Sequence, residues 1–232
     1  MRYPQSMIDY RLRGDFSGHG RGELEEYVLA ALGRGLEEIG FSDHLPKVVD
    51  PDPYHAMLEE ALPRYVSEVL RLRECYSGRI RILLGIEADY FRGYEKETKA
   101  LLDACPFDYV LGGLHFLGDW HFSSKAGIGG FDTFDPDEVF PQYYDLVAEM
   151  IETSLFDVLA HPGVIMRKDF LPSIDMSPWY GRTAELLCSH GMAIEINTAG
   201  LRRGGGLLFP DQALLSECAR RDVPVTFGSD AH

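Results

Sequence analysis

Imidazole and carboxylate groups directly follow several apolar segments of this 232-residue chain. Six of them stand where such a segment ends: His44, Glu87, His115, His161, Asp230 and His232. His19 lies just beyond the first apolar segment. Nitrogen and oxygen donors of this kind bind Zn²⁺, Mn²⁺ or Fe²⁺. The pattern favours a multinuclear metal site over a metal-free acid–base site, because crowded carboxylates and imidazoles repel and shift one another's pKa values when no cation lies between them.

Hydrolysis is the reaction class that such a site indicates. Divalent metals lower the pKa of a bound water towards neutrality and neutralise the oxygens of a phosphate ester. Taken singly, each residue has an ordinary structural explanation, since a histidine after a strand is commonly a hydrogen-bonded turn residue. Residues 18–22 lack the Lys-Ser/Thr of a P-loop, and residues 204–206 do not open a dinucleotide-binding unit, so a Gly-rich nucleotide site is not indicated.

Seven apolar, strand-like segments alternate with amphipathic, helix-like segments along the chain. The predicted strands cover residues 7–10, 38–41, 81–86, 109–113, 156–160, 192–196 and 223–227. The predicted helices cover residues 24–34, 54–76, 95–102, 136–152, 178–190 and 211–221. This alternation predicts parallel β-α-β units and therefore an α/β fold. Residues 118–135, rich in Gly, Ser and Phe, are expected to form an irregular loop or lid.

A closed sheet explains the polar residues better than an open one. In an open seven-stranded sheet the outer strands would lie about 25–30 Å apart, at about 4.8 Å per strand. Polar groups after all seven strands can meet at one point only if the sheet closes. We therefore predict a seven-stranded barrel with its site at the carboxyl-terminal ends of the strands.

The charge balance excludes several partner classes. Lys and Arg total 22 and Asp and Glu total 37, giving a net charge of −15. This argues against broad electrostatic attraction to nucleic acid or an anionic membrane. No apolar run reaches the roughly 18 residues of a membrane span, and the amino terminus lacks a signal-peptide apolar region. We expect one cytoplasmic domain over residues 1–232 that acts on a small molecule, with its four scattered cysteines as buried thiols.

Six segments, taken in chain order, carry a family resemblance. They are residues 41–44 (Phe-Ser-Asp-His), 85–89 (Gly-Ile-Glu-Ala-Asp), 111–116 (Leu-Gly-Gly-Leu-His-Phe), 160–162 (Ala-His-Pro), 195–202 (Glu-Ile-Asn-Thr-Ala-Gly-Leu-Arg) and 228–232 (Gly-Ser-Asp-Ala-His). Together they resemble the polymerase-and-histidinol-phosphatase (PHP) family, most closely its monofunctional histidinol-phosphate phosphatases. The 195–202 segment, with Pro210 beyond it, is typical of the phosphatase branch.

The resemblance implies a distorted (β/α)7 barrel that binds up to three Zn, Fe or Mn ions. It implies hydrolysis of L-histidinol phosphate to L-histidinol, a step of histidine biosynthesis. The alternatives are hydrolysis of another small phosphate ester and a non-catalytic metabolite-binding protein on the same barrel.

Motif matching also implies a role for each site residue. Glu87 would bridge two metals, and His115 with His161 would complete one metal site. A second site would use His19, His44 and His232, and Asp230 would belong to a third. The catalytic residues would be Asp230, His232 and Glu87, and the substrate phosphate would be bound by Arg202, Arg203 and Arg167. For Arg202 and Arg203, the residues alone leave a solvated loop equally open.

Arg11 and Arg13 depart from the family pattern, which has His-x-His at the end of the first strand. A guanidinium carries no lone pair for a metal. In one interpretation the arginines replace the missing dication, pairing with Asp230 and Glu87 or binding phosphate, and a two-metal phosphatase remains. In the other, catalysis is damaged or lost. We expect two metals and an impaired activity on a recognisable phosphatase scaffold.

The sequence also ends at His232. Family members usually continue for a few dozen residues, which supply a helix over the seventh strand. We therefore expect that a C-terminal segment is lacking and that a partner subunit could cover the strand, giving a homo-oligomer.

Overall fold

The computed structural model describes residues 7–18, 20–49, 52, 54–202 and 206–232. The chain forms two compact units. The first contains the residues up to Leu111 together with Phe227–His232, and the second is Gly112–Thr226. Each unit is described by itself below.

The first unit alternates strands with helices. Its strands are β1 (Ile8–Leu12), β2 (Glu38–Phe41), β3 (Arg81–Asp89) and the first three residues of β4 (Tyr109–Gly113). Its helices are α1 (Leu24–Gly33), α2 (Leu62–Cys75) and α3 (Glu95–Asp103), with a 3-10 turn at Glu59–Ala61. The strands lie in the order β1-β2-β3-β4. Both registers are parallel, Ile8 pairing with Glu38 and Glu38 with Arg81.

The carboxyl-terminal residues of the chain return to β1. Ala231 forms a parallel bridge with Leu12, and its carbonyl accepts the Arg13 amide at 3.1 Å. The Asp9 carboxylate accepts the Ser229 amide at 2.9 Å. These bonds place Asp230 beside the end of β1.

The second unit has the same alternation. Its elements are the end of β4, β5 (Phe116–Leu117), β6 (Trp120–His121), α4 (Pro136–Glu152), β7 (Val158–Leu159), α5 (Ser177–His190), β8 (Ala193–Asn197), α6 (Ala199–Arg202), α7 (Gln212–Ala219) and the start of β9 (Val225–Gly228). In the sheet the order is β4-β7-β8-β9, and β7 pairs with β8 in parallel register. Strands β5 and β6 form a separate antiparallel hairpin.

Local sequence explains where the helices lie. Asp135 caps α4 by accepting the Asp137 amide, and Pro136 supplies a fixed φ in the first turn. In α2, Tyr65, Val69 and Leu72 are buried at helical spacing and face β3.

Tyr109 fixes the packing between the central strands of the first unit. Its hydroxyl donates to the Tyr10 carbonyl at 2.7 Å, and its ring lies over Gly40 and Gly85. A Cβ at Gly85 would lie 2.2 Å from Cζ of Tyr109, and one at Gly40 would lie 2.1 Å from the hydroxyl oxygen. Glycine is therefore required at both positions by the close approach of the ring.

All seven predicted strands are present, as β1–β4 and β7–β9. Three details of the prediction were wrong. The helix predicted over residues 54–76 begins only at Leu62, because the Asp52 carboxylate accepts the Tyr54 amide and turns the chain there. The stretch 118–135 is partly regular, since it contains β6 and a 3-10 helix at Ala126–Asp132.

The third correction concerns the cysteines, which are all free thiols. Only Cys218 is buried; Cys75 and Cys188 are exposed, and Cys105 is half-buried. Cys75 and Cys188 lie on exposed faces of helices and Cys105 lies in a loop, where neighbouring apolar residues in the sequence do not ensure burial. Among the described residues, no helix has the length and apolar character needed to cross a bilayer.

Candidate functional site

Two arginines and two carboxylates form a buried cluster in the first unit, which we call the guanidinium–carboxylate quartet. Its members are Arg11 and Arg13 at the end of β1, Glu87 in β3, and Asp230 after β9. Arg11 contacts Oε2 of Glu87, and its Nε lies 3.3 Å from Oδ1 of Asp230. Arg13 lies 2.6 Å from the same oxygen of Glu87 and 3.1 Å from that of Asp230. Each arginine therefore pairs with both carboxylates.

Burial makes this pairing obligatory. None of the four side chains is more than 6% exposed. A buried carboxylate without a cation is costly, whereas two guanidiniums and two carboxylates sum to zero charge. Arginine also stays protonated at any pH at which the protein folds. Arg11 and Arg13 pair with Asp230 and Glu87, as in the first of the two interpretations of the sequence.

A divalent ion does not fit between Glu87 and Asp230 in this arrangement. Oε2 of Glu87 and Oδ1 of Asp230 each already contact both guanidiniums. His44 lies close by, with Nε2 3.6 Å from Oε2 of Glu87. The first unit thus places His44, Glu87 and Asp230 together, with fixed positive charge beside the carboxylates.

Asp43 is a buried residue of this region that the predicted site did not include. Its Oδ2 accepts the Gly14 amide at 3.0 Å, and its Oδ1 accepts the Ser17 hydroxyl at 3.2 Å. Burial raises the pKa of Asp43 to about 7, although these hydrogen bonds and the charge of Arg13 act to lower it. Asp43 therefore fixes the loop after β1. Its position next to His44 in the Ser-Asp-His motif was the available signal.

His232 and Asp230 are adjacent at the end of the first unit. Nδ1 of His232 donates to the Asp230 carbonyl at 2.8 Å, which leaves the lone pair of the neutral ring on Nε2. This is the tautomer in which a histidine binds a metal through Nε2. Asp230 itself has a left-handed backbone, with φ of 55°.

Two imidazoles lie side by side in the second unit. His115 follows β4 and His161 follows β7, and both are buried. Their ring centroids are 4.9 Å apart at an interplanar angle of 65°. Paired buried imidazoles are donors that suit Zn²⁺, Mn²⁺ or Fe²⁺, so these residues fit a metal.

Glu195 supports the backbone of His161 and was missed by the sequence reasoning. Its buried carboxylate accepts the His161 amide at 2.6 Å, and Oε2 also accepts Nδ2 of Asn197 at 3.3 Å. Asn197 in turn accepts the amide of Ala199, the first residue of α6, at 2.9 Å through Oδ1. Two polar residues at alternating positions of one strand face the same side, which was the available signal.

The predicted phosphate-binding arginines have different surroundings. Arg202 lies exposed at the end of α6. Arg167 is half-buried and donates to the carbonyls of Val164 and Met166 at 3.0 and 3.1 Å, and to that of Phe122 at 3.4 Å. Its guanidinium also stacks on Phe131. These bonds tie two loops of the second unit together. His19 and Arg203 lie outside the described residues.

Comparison with known proteins decides the family. The sequence model of the PHP domain matches residues 9–199. The chain belongs to the PHP domain family. The predicted family is therefore confirmed.

Curated relatives of this PHP domain extend along nearly its whole length. A Deinococcus radiodurans protein named "Probable histidinol-phosphatase" is 33% identical over 97% of this chain and 86% of its own length. The "Histidinol-phosphatase" of Bacillus subtilis is 31% identical over 97% of this chain and 92% of its own length. The prediction of a histidinol-phosphatase-like, metal-dependent phosphoric monoester hydrolase is confirmed by the family and these relatives.

Solved structures share the fold. A Listeria monocytogenes structure assigned to histidinol phosphatase hisK has a TM-score of 0.85 and 22% identity, covering 97% of this PHP domain and 95% of that chain. The histidinol phosphate phosphatase of Lactococcus lactis, complexed with zinc, L-histidinol and phosphate, has a TM-score of 0.81 and 22% identity, covering 98% and 86%. The fold is a distorted (β/α)7 barrel, as predicted.

Proposed function

We propose that this PHP domain hydrolyses L-histidinol phosphate to L-histidinol, using two divalent metal ions. One observation carries the proposal: buried histidines of metal-binding type, His115 and His161, lie side by side in a chain that matches named histidinol-phosphatases along 97% of its length. Zinc, iron and manganese all suit imidazole and carboxylate donors. The zinc, L-histidinol and phosphate of the Lactococcus lactis complex support the same ligand classes for this chain.

The proposed metal ligands are seven residues that the sequence motifs mark: His19, His44, Glu87, His115, His161, Asp230 and His232. Bound metal would supply Lewis-acid stabilisation of the phosphoryl oxygens and a water of lowered pKa. The position between Glu87 and Asp230 is the exception, because Arg11 and Arg13 already provide its positive charge. This supports two ions for this chain in place of the three that the family can hold.

The chain's own residues would bind and orient the ester. Arg202 is the proposed principal phosphate ligand, since a guanidinium can hold two phosphate oxygens at once. Arg203 and Arg167 are proposed beside it. For Arg167 the carbonyl contacts support a role in holding the loops around the substrate. Glu87, Asp230 and His232 are the proposed catalytic residues, and a metal ion or a protonated histidine would help the alkoxide to leave.

A second candidate function is non-catalytic binding of a phosphorylated metabolite. The guanidinium–carboxylate quartet favours it, because Arg11 and Arg13 supply positive charge beside Glu87 and Asp230 but cannot lower the pKa of a water as a metal does. Hydrolysis of another small phosphate ester is the remaining alternative within the same enzyme class.

Substrate turnover by the purified protein separates these functions. L-histidinol phosphate and a panel of other phosphate monoesters would be assayed with added Mn²⁺ or Zn²⁺. Preferential turnover of L-histidinol phosphate supports the proposal. Faster turnover of another ester would make that ester the substrate instead. Phosphate binding without turnover of any ester establishes the non-catalytic function.

A pair of histidine variants tests the assigned ligands. His161→Ala should lose metal and activity, whereas His190→Ala should keep both. His190 is in the same unit but lies at the exposed end of α5, where it contacts the Ser154 hydroxyl. Equal loss in both variants would contradict the assignment.

We also propose a cytoplasmic location and a homo-oligomer, with no nucleic-acid or membrane partner. The net charge of −15 supports this choice of partners. Size-exclusion chromatography with light scattering tests the oligomer.

A further inference from the structure

The turn at His161 has an unusual backbone that needs support. Its φ is 30°, in the left-handed region that residues other than glycine seldom adopt. The following turn is closed by the Val164 amide, which donates to the His161 carbonyl at 2.9 Å. Strained backbone of this kind persists only where neighbouring groups hold it.

Glu195 is the group that holds it. Its carboxylate accepts the His161 amide at 2.6 Å, and both residues are buried. A second contact anchors the other end of the turn, where the Gly163 amide donates to the Tyr143 hydroxyl at 3.2 Å. Of these two contacts, the one from Glu195 comes from a carboxylate and the one from Tyr143 from an uncharged hydroxyl. Glu195 can therefore also place negative charge close to the His115–His161 pair.

The same carboxylate reaches a second functional segment. Asn197 donates to Glu195 and accepts the Ala199 amide, so it connects Glu195 to the first turn of α6. Arg202 ends this four-residue helix. One buried acid thus supports the backbone of a proposed metal ligand directly, and that of a proposed phosphate ligand through one amide side chain.

We propose that Glu195 is a positioning residue that orients His161 for metal binding and, through Asn197, sets the position of the helix that carries Arg202. The inference rests on the proposed function, since it assumes that His161 binds a metal. Residues that orient metal ligands usually affect metal affinity by about 10- to 100-fold.

The first test is the metal affinity of Glu195→Gln. This variant keeps the side-chain size and an acceptor oxygen but removes the charge. Apo protein would be titrated with Zn²⁺ against a competing chelator, and with Co²⁺ followed by visible absorption. We expect about 10- to 100-fold weaker Zn²⁺ binding and an altered Co²⁺ spectrum, with the number of ions unchanged at saturation.

Asp211→Asn is the matched control. Asp211 is also a carboxylate of the second unit that accepts backbone amides, those of Ala213 and Leu214, but it caps α7. The same acid-to-amide change there should lower thermal stability without changing metal affinity. If Glu195→Gln binds Zn²⁺ within twofold of the wild type, or loses an entire ion at saturation, the inference is overturned. The second outcome would make Glu195 a ligand.

Asn197→Ala tests the connection to α6 and also serves if Glu195→Gln does not fold. Loss of this bond to the start of α6 should weaken inhibition by inorganic phosphate about fivefold, the effect of one hydrogen bond of ordinary net strength. Zn²⁺ affinity should stay within about threefold of the wild type, since the Glu195–His161 contact remains. Unchanged phosphate inhibition would refute the α6 part. Failure of the wild type to bind any metal would refute the proposed function instead.

Discussion

Arg11→Met removes one guanidinium from the quartet and leaves most of the side-chain volume in place. Arg11 is fully buried and pairs with both Glu87 and Asp230. In the variant, Arg13 alone faces two buried carboxylates, so one negative charge is uncompensated. Removing one partner of a buried ion pair costs about 3–5 kcal/mol. For a chain of this length, that loss corresponds to a fall in Tm of about 6–20 °C.

An exposed arginine of the same chain provides the control. Arg182 pairs with Asp145 at 3.3 Å, but both side chains are half exposed. Arg182→Met should therefore cost less than about 1 kcal/mol. Urea unfolding, monitored by circular dichroism in one buffer, gives the free energy of unfolding of each variant.

Added metal distinguishes the charge explanation from simple loss of packing. If an uncompensated negative charge destabilises Arg11→Met, Mn²⁺ or Zn²⁺ should raise its Tm more than that of the wild type, because the cation binds the vacated carboxylates only in the folded state. A loss no larger than that of Arg182→Met would refute the reasoning. So would a Tm of Arg11→Met that responds to metal no more than the wild type does.

Three further outcomes are expected. The double variant Arg11→His and Arg13→His should bind one more metal ion by elemental analysis and hydrolyse L-histidinol phosphate faster; no gain in turnover would argue against impairment by the arginines. Gly85→Ala should destabilise the fold by about 1–3 kcal/mol, because its Cβ would meet the Tyr109 ring. Gly33→Ala, where no described atom lies within 4 Å of the new Cβ, should instead be neutral or stabilise by up to about 1 kcal/mol in thermal unfolding. Treatment with EDTA should abolish turnover and added Zn²⁺ or Mn²⁺ should restore it; turnover that persists in EDTA would contradict metal dependence.

The sequence predicted those features that depend on local pattern. Helix α4 begins at Pro136, as expected from the fixed φ of proline in a first turn. Histidines directly after β4 and β7 were recognisable because parallel strands carry functional groups at their carboxyl ends. The pairing of Arg13 with Glu87, which lie 74 positions apart, could also be inferred from the sequence. A buried carboxylate is stable only when a positive charge lies next to it.

Features that depend on three-dimensional contacts were not predictable. Glu195 looked like one residue of a strand, and its contact with the His161 amide exists only once β7 and β8 lie side by side. The exposure of Cys75 and Cys188 depends on which helix face meets the sheet, and short windows of sequence do not determine this. The Asp52 turn moves the start of the predicted helix from residue 54 to Leu62, because a single side-chain bond can outweigh helical propensity.

The guanidinium–carboxylate quartet also makes the charge balance of the first unit independent of the metal supply. A bound ion exchanges with the medium, so its occupancy follows the concentration of that metal and the presence of competing chelators. Arg11 and Arg13 belong to the polypeptide and are synthesised with it, so the positive charge beside Glu87 and Asp230 is present at any metal supply. We expect the first unit to assemble as well in metal-depleted cells as in replete ones.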